Sequence, residues 1–83
     1  MASLYKIRCH VENILKTMTE NSTYDDYFHH FSEIHQQVRV LSSKRFVVVE
    51  TYILLIGVVK FNRDSIWKTR DTLHAFSKVL SQR

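Results

Sequence analysis

Two of the five histidines in this 83-residue chain stand beside carboxylates at helical spacing. Asp26 and His30 are one helical turn apart, and so are His29 and Glu33. On a helix each pair shares a face and could hold a metal ion between an imidazole and a carboxylate. A closed site needs about three or four ligands, and helical di-metal centres draw theirs from several helices. No other segment offers a matching set, and the spacing from His30 turns His35 elsewhere. Surface imidazoles that pair with carboxylates when protonated are the expected outcome. No metal and no cofactor are expected.

Cys9 and His10 are chain neighbours, but neighbours on a helix do not face one another. A nucleophilic thiol would need a base from elsewhere and an activating environment. Cys9 is expected to be a small, semi-buried side chain. The single glycine, Gly57, cannot build a phosphate-binding loop, and no buried carboxylate pair suggests acid–base work. The chain is not expected to be an enzyme.

Charge points to partners instead. Lys60, Arg63, Lys68, Arg70 and Lys78 gather around one stretch and could contact the phosphates of DNA or RNA. Asp64 and Asp71 dilute that patch, and the net charge of +4 is modest for a dedicated nucleic-acid binder. The segment 19–42 is acidic, with Glu20, Asp25, Asp26 and Glu33 against Arg39. An acidic and a basic helix could attract each other within the fold or across a dimer.

Aromatic residues are plentiful, and Tyr and Trp are favoured anchors of protein interfaces. Tyr24, Tyr27 and Phe28 crowd the start of one segment more tightly than a single stripe can bury. Together with Tyr52, Leu55 and Trp67 they are the expected contacts for a protein partner.

The elements that must position these residues read as helices. Proline is absent and glycine occurs once, so the usual reversal residues of a multi-stranded sheet are missing. Leu4, Ile7, Val11, Ile14 and Met18 fall on one helical stripe. Glu20–Thr23 breaks it, and Ser22 or Thr23 could cap a second helix whose first turn holds Asp25 and Asp26. Tyr24, Tyr27, Phe28, Phe31, Ile34, Val38 and Leu41 continue that helix, with Arg39, Lys44 and Arg45 near its negative end. Residues 46–61 are rich in β-branched side chains and favour strand on propensity alone. No second strand-like segment exists to pair with them, so a central buried helix, apolar all round, is expected. Asn62 is the expected cap of a fourth helix, with Phe61 and Ile66 as its hydrophobic staple. Ile66, Thr69, Leu73, Phe76 and Leu80 form the last stripe, widened by Trp67 and Val79, and Ser81–Arg83 are expected to fray. No internal repeat is legible. The fold expected is all-α, a compact bundle of about four short helices forming a single domain over residues 1–83.

The segment Lys60-Phe61-Asn62-Arg63-Asp64-Ser65-Ile66, continuing to Arg70 and Ala75-Phe76, resembles a helix–turn–helix segment of phage anti-sigma factors of the T4 type. That family comprises small all-α proteins that dimerise and bind a sigma factor. The likeness covers under half of this chain, and the family carries the segment at its beginning rather than toward its end.

A lone cysteine and an N-terminus without a signal-type apolar run suit a reducing compartment, cytoplasm or nucleus. The apolar run 46–59 contains Glu50 and falls short of the roughly 20 residues that span a membrane. So short a chain has a thin core and cannot form an internal disulfide, so self-association is an expected support. The reading is a complete small interaction protein, in the style of a viral or phage regulator, that binds a protein partner and forms a homodimer. Its alternative is a basic DNA- or RNA-binding regulator.

Overall fold

The computed structural model describes residues 4–41 and 46–82. Four helices follow one another: α1 (Leu4–Thr17), α2 (Phe28–Leu41), α3 (Phe46–Phe61) and α4 (Arg70–Ser81). A 3₁₀ turn, Tyr24–Tyr27, leads into α2, and another, Ile66–Thr69, leads into α4. Among the described residues there is no strand. Lys44, Arg45 and Arg83 lie outside them.

The stripes close on one core. Ile7, Val11, Ile14 and Met18 meet Phe31, Ile34 and Val38, then Val48, Tyr52, Leu55 and Val59, then Ile66, Leu73, Phe76 and Leu80. Thr69 is fully buried with them, because its hydroxyl donates to the Ile66 carbonyl at 2.6 Å and so leaves no unpaired polar atom.

Although no repeat is legible in residue identities, the burial pattern repeats. Ile7, Val11, Ile14 and Met18 correspond to Val48, Tyr52, Leu55 and Val59, each pair equally far apart in the chain. Phe31, Ile34 and Val38 correspond in the same way to Leu73, Phe76 and Leu80, at a spacing one residue longer. The molecule is thus two helical hairpins of like register. Their turns are joined by two exchanged backbone bonds: the Tyr24 amide donates to the Arg63 carbonyl at 2.9 Å, and the Ile66 amide donates to the Ser22 carbonyl at 3.1 Å. Tyr24 and Ile66 hold equivalent positions, as do Arg63 and Ser22, so the bonds are related by an approximate twofold axis. A period carried by burial and not by identity escapes a search for similar letters.

The helix ends differ in detail from the sequence reading. Ser22 is buried and accepts the Thr19 amide at 2.9 Å, which locks the loop and does not cap α2. Thr23 precedes the first 3₁₀ turn, and its amide donates to the Asp26 carboxylate at 2.8 Å, half of a capping box. Asn62 does not cap the fourth helix. Its amide and its side chain both donate to the Val58 carbonyl, so it terminates α3. Ser65 precedes the second 3₁₀ turn instead. Phe61 points into solvent and staples nothing.

Residues 46–61 are helical despite their β-branched composition, because helix α3 finds a close partner in α4 and tertiary packing overrides propensity. The helix is apolar on all sides, yet its neighbours enclose only one of them. Val48, Tyr52, Leu55 and Val59 are buried; the opposite face is open.

Candidate functional site

Two surfaces stand out, and helix α3 contributes to both. The first is its open face. Phe46, Val47, Glu50, Ile53, Leu54, Gly57, Lys60 and Phe61 are all exposed and recur with helical spacing opposite the core stripe. Five of them are large and apolar; Ile53 is 64% exposed, Leu54 67% and Phe61 89%. Single exposed hydrophobics are ordinary; a contiguous set along one helix is not.

The second surface is the seam between α2 and α3. By the approximate twofold, this seam corresponds to the one between α1 and α4, and the two are unequal. Helix α1 packs closely along α4, whereas α2 touches α3 over a shorter stretch. Positions equivalent to Ile66 and Val11 of the closed seam carry Tyr24 and Tyr52 in the open one. Between α2 and α3 lies an open groove of about 240 Å³, lined by Tyr24, Phe28, Phe31, His35, Ile56 and Lys60, with Ser32 and Tyr52. Tyr24 stacks on Phe31 with ring centres 5.1 Å apart and meets Phe28 edge-on at 5.9 Å. The Arg63 guanidinium lies over the outer face of Tyr24, 4.8 Å from the ring centre. Across the groove, His35 Nδ1 and the Tyr52 hydroxyl share a hydrogen bond of 2.9 Å. Burial, and then the neighbouring Tyr24, push the Tyr52 hydroxyl well above its ordinary value, so it stays protonated.

No family model, curated protein or solved structure matches the chain.

The residues singled out in the sequence therefore have to be placed by geometry. Tyr24, Phe28 and Tyr52 come together at the groove. Leu55 does not reach a surface; it is fully buried, and Tyr52 is nearly so, because both lie on the core stripe of α3. Tyr27 turns toward α1, where its hydroxyl bonds that of Thr17 at 2.9 Å. Trp67 is half-buried, and the Arg70 guanidinium covers it at 4.5 Å while donating to its carbonyl. The open face of α3 was missed as a set of named contacts. Its signal was the apolar character of 46–61 on every side, which does not say which side faces out.

The histidines are organised differently from the metal arrangement. Asp26 is engaged by Thr23, and His30 Nδ1 lies 2.9 Å from His10 Nδ1 across the α1–α2 seam. Burial first, then the charges of His10 and His29, hold His30 below the usual imidazole value. Among the described residues, no three His, Cys, Asp or Glu side chains are placed to hold a metal ion. Cys9 is exposed on α1, not semi-buried, since it lies off the Ile7–Val11–Ile14 stripe.

Of the basic set, Arg63 and Arg70 lie on aromatic rings of their own chain, and Lys60, Lys68 and Lys78 are exposed. Lys68 and Lys78 sit at opposite ends of the last helical segment. Among the described residues, no helix is long and apolar enough to cross a membrane.

Proposed function

We propose that this chain is a small non-enzymatic interaction protein, a regulator or adaptor, that pairs with a second copy through α3 and binds another protein at its aromatic surface. The observation that carries the reading is the run of five large apolar side chains exposed along one face of α3. A chain this small gains a larger core by covering that face.

The occupant is a second copy because the face complements itself. The spacing is common to any helix face; the residue types decide. From the N-terminal end the face reads Phe46, Val47, Glu50 and then the pair Ile53–Leu54; from the C-terminal end it reads Phe61, Lys60, Gly57 and then the same aliphatic pair. With two α3 helices antiparallel about an axis between Ile53 and Leu54, Phe46 of one copy meets Phe61 of the other, and Ile53 meets Leu54. Glu50 then falls opposite Gly57 and beside Lys60, which places opposite charges together. Twofold pairing requires such self-complementarity. A Cβ added at Gly57 would meet nothing in its own chain, so the chain's own packing does not call for the missing side chain. In the pair, that gap gives the stem of Glu50 room.

The alternative, a DNA- or RNA-binding regulator, has less support. Its five basic residues span the end of α3 and the whole of α4, and both arginines rest on aromatic rings. Sedimentation of the parent chain and of Leu54→Glu tests the proposal. The parent should sediment as a dimer and the variant as a folded monomer; equal masses for the two would refute pairing through α3.

A further inference from the structure

We propose that the groove between α2 and α3 seats one large apolar side chain of an acidic protein segment. The inference rests on the chain being a protein-binding module and names the chemistry of its partner.

Size is the first argument. A volume of about 240 Å³ lies below the roughly 300–1,000 Å³ of sites that hold drug-sized ligands or cofactors. It suits a single side chain carried on a larger partner.

The walls decide what kind of side chain. Tyr24, Phe28 and Phe31 present packed rings, and Ile56 adds aliphatic surface. Aromatic pairs in offset or edge-on arrangement gain beyond the area they bury. The Tyr52 hydroxyl, nearly buried in the seam, is already bonded to the exposed His35, so it calls for no polar ligand atom. An inserted Phe or Leu would fill the space between the two helices.

The rim decides the charge of the flanking residues. Lys60 lines the groove, and Arg63 lies over the outer face of its Tyr24 wall. The carboxylate nearest Arg63 is Asp25 at 3.6 Å, and both side chains are well exposed, so that pair is weak and screened. Two cations therefore border an apolar slot. A partner with carboxylates on either side of its anchor complements them, and a basic segment is repelled.

Amide shifts of the ¹⁵N-labelled full chain provide the test, with three peptides as probes: acetyl-Glu-Phe-Glu-amide, acetyl-Lys-Phe-Lys-amide and acetyl-Glu-Ser-Glu-amide. The first should shift residues around Tyr24–His35 and Tyr52–Lys60 at millimolar concentration, and the other two should not. Lys60→Glu should weaken the first peptide about tenfold. Phe28→Ala, on an exposed side chain outside α3, should weaken it without changing the mass in solution. No shift with the first peptide, or shifts away from the groove, would overturn the proposal. Equal shifts with the lysine peptide or the serine peptide would overturn it too. Light scattering on the same samples separates the claims: a dimer blind to the first peptide removes the groove and keeps the pairing, and a monomer that binds it does the reverse.

Discussion

His10 and His30 face each other across the seam between α1 and α2, their Nδ1 atoms 2.9 Å apart and their ring centres 5.1 Å apart. One Nδ1 must donate and the other accept, so a second proton at that contact would break it. With His29 packed against His30 as well, acid brings like charges together at this seam.

The pH dependence follows in sign. His30 titrates below its ordinary 6.5 in the folded chain, so the unfolded chain binds its proton first as pH falls. The stability it contributes is present above about pH 6.5 and is lost on going lower. Thermal melts from pH 8 to pH 5 should show the midpoint falling through this window, and His30→Gln should flatten the fall. A midpoint that rises on acidification, or an unchanged slope in the variant, would contradict it.

Two adjacent leucines should behave oppositely. Leu55 is fully buried and Leu54 mostly exposed. In denaturant titrations, Leu55→Ala should cost about 2–5 kcal/mol, and Leu55→Asp should abolish folding. In dissociated chain, Leu54→Ala should stay within about 0.5 kcal/mol of the parent. Similar losses at both positions would mean that the two faces of α3 have been misplaced.

Gly57 offers a gain. It sits within α3, and a Cβ there meets nothing within 4 Å. On the Leu54→Glu background, where pairing is removed, Gly57→Ala should stabilise the chain by about 0.8–1 kcal/mol through helix propensity. Chemical denaturation measures it, and a loss of stability would show that the position is crowded in the single chain.

Thr69 should matter for its hydroxyl. Thr69→Val keeps the shape but removes the 2.6 Å bond to the Ile66 carbonyl in a fully buried position. A cost of about 1–3 kcal/mol is expected in denaturant titrations. A neutral substitution would mean that the Ile66 carbonyl is satisfied without it.

The stripes of α1, α2 and α4 were legible in the sequence because each contrasts sharply with polar faces. Ile7, Val11 and Ile14, then Phe31, Ile34 and Val38, then Leu73, Phe76 and Leu80 lie where their spacing puts them. In α3 that contrast is absent, so spacing could not tell Leu55, inside, from Leu54, outside. The caps were only half legible. Thr23 stands before a 3₁₀ turn and not at the start of α2, and Asn62 and Ser65 are both competent caps, between which backbone bonding to Val58 and Ser22 chose. The groove was visible only as three aromatic residues of one set, Tyr24, Phe28 and Tyr52. Their convergence depends on how α2 and α3 are held together, which no local pattern encodes.

The central claim is that α3 carries the interface with a second copy, and multi-angle light scattering on the unmodified chain tests it most directly. Across micromolar concentrations the account expects a mass near twice 9.9 kDa, falling to the single-chain value for Ile53→Glu and Leu54→Glu while their helical circular dichroism is kept. A parent chain that stays at 9.9 kDa throughout, or a dimer indifferent to both substitutions, would contradict it.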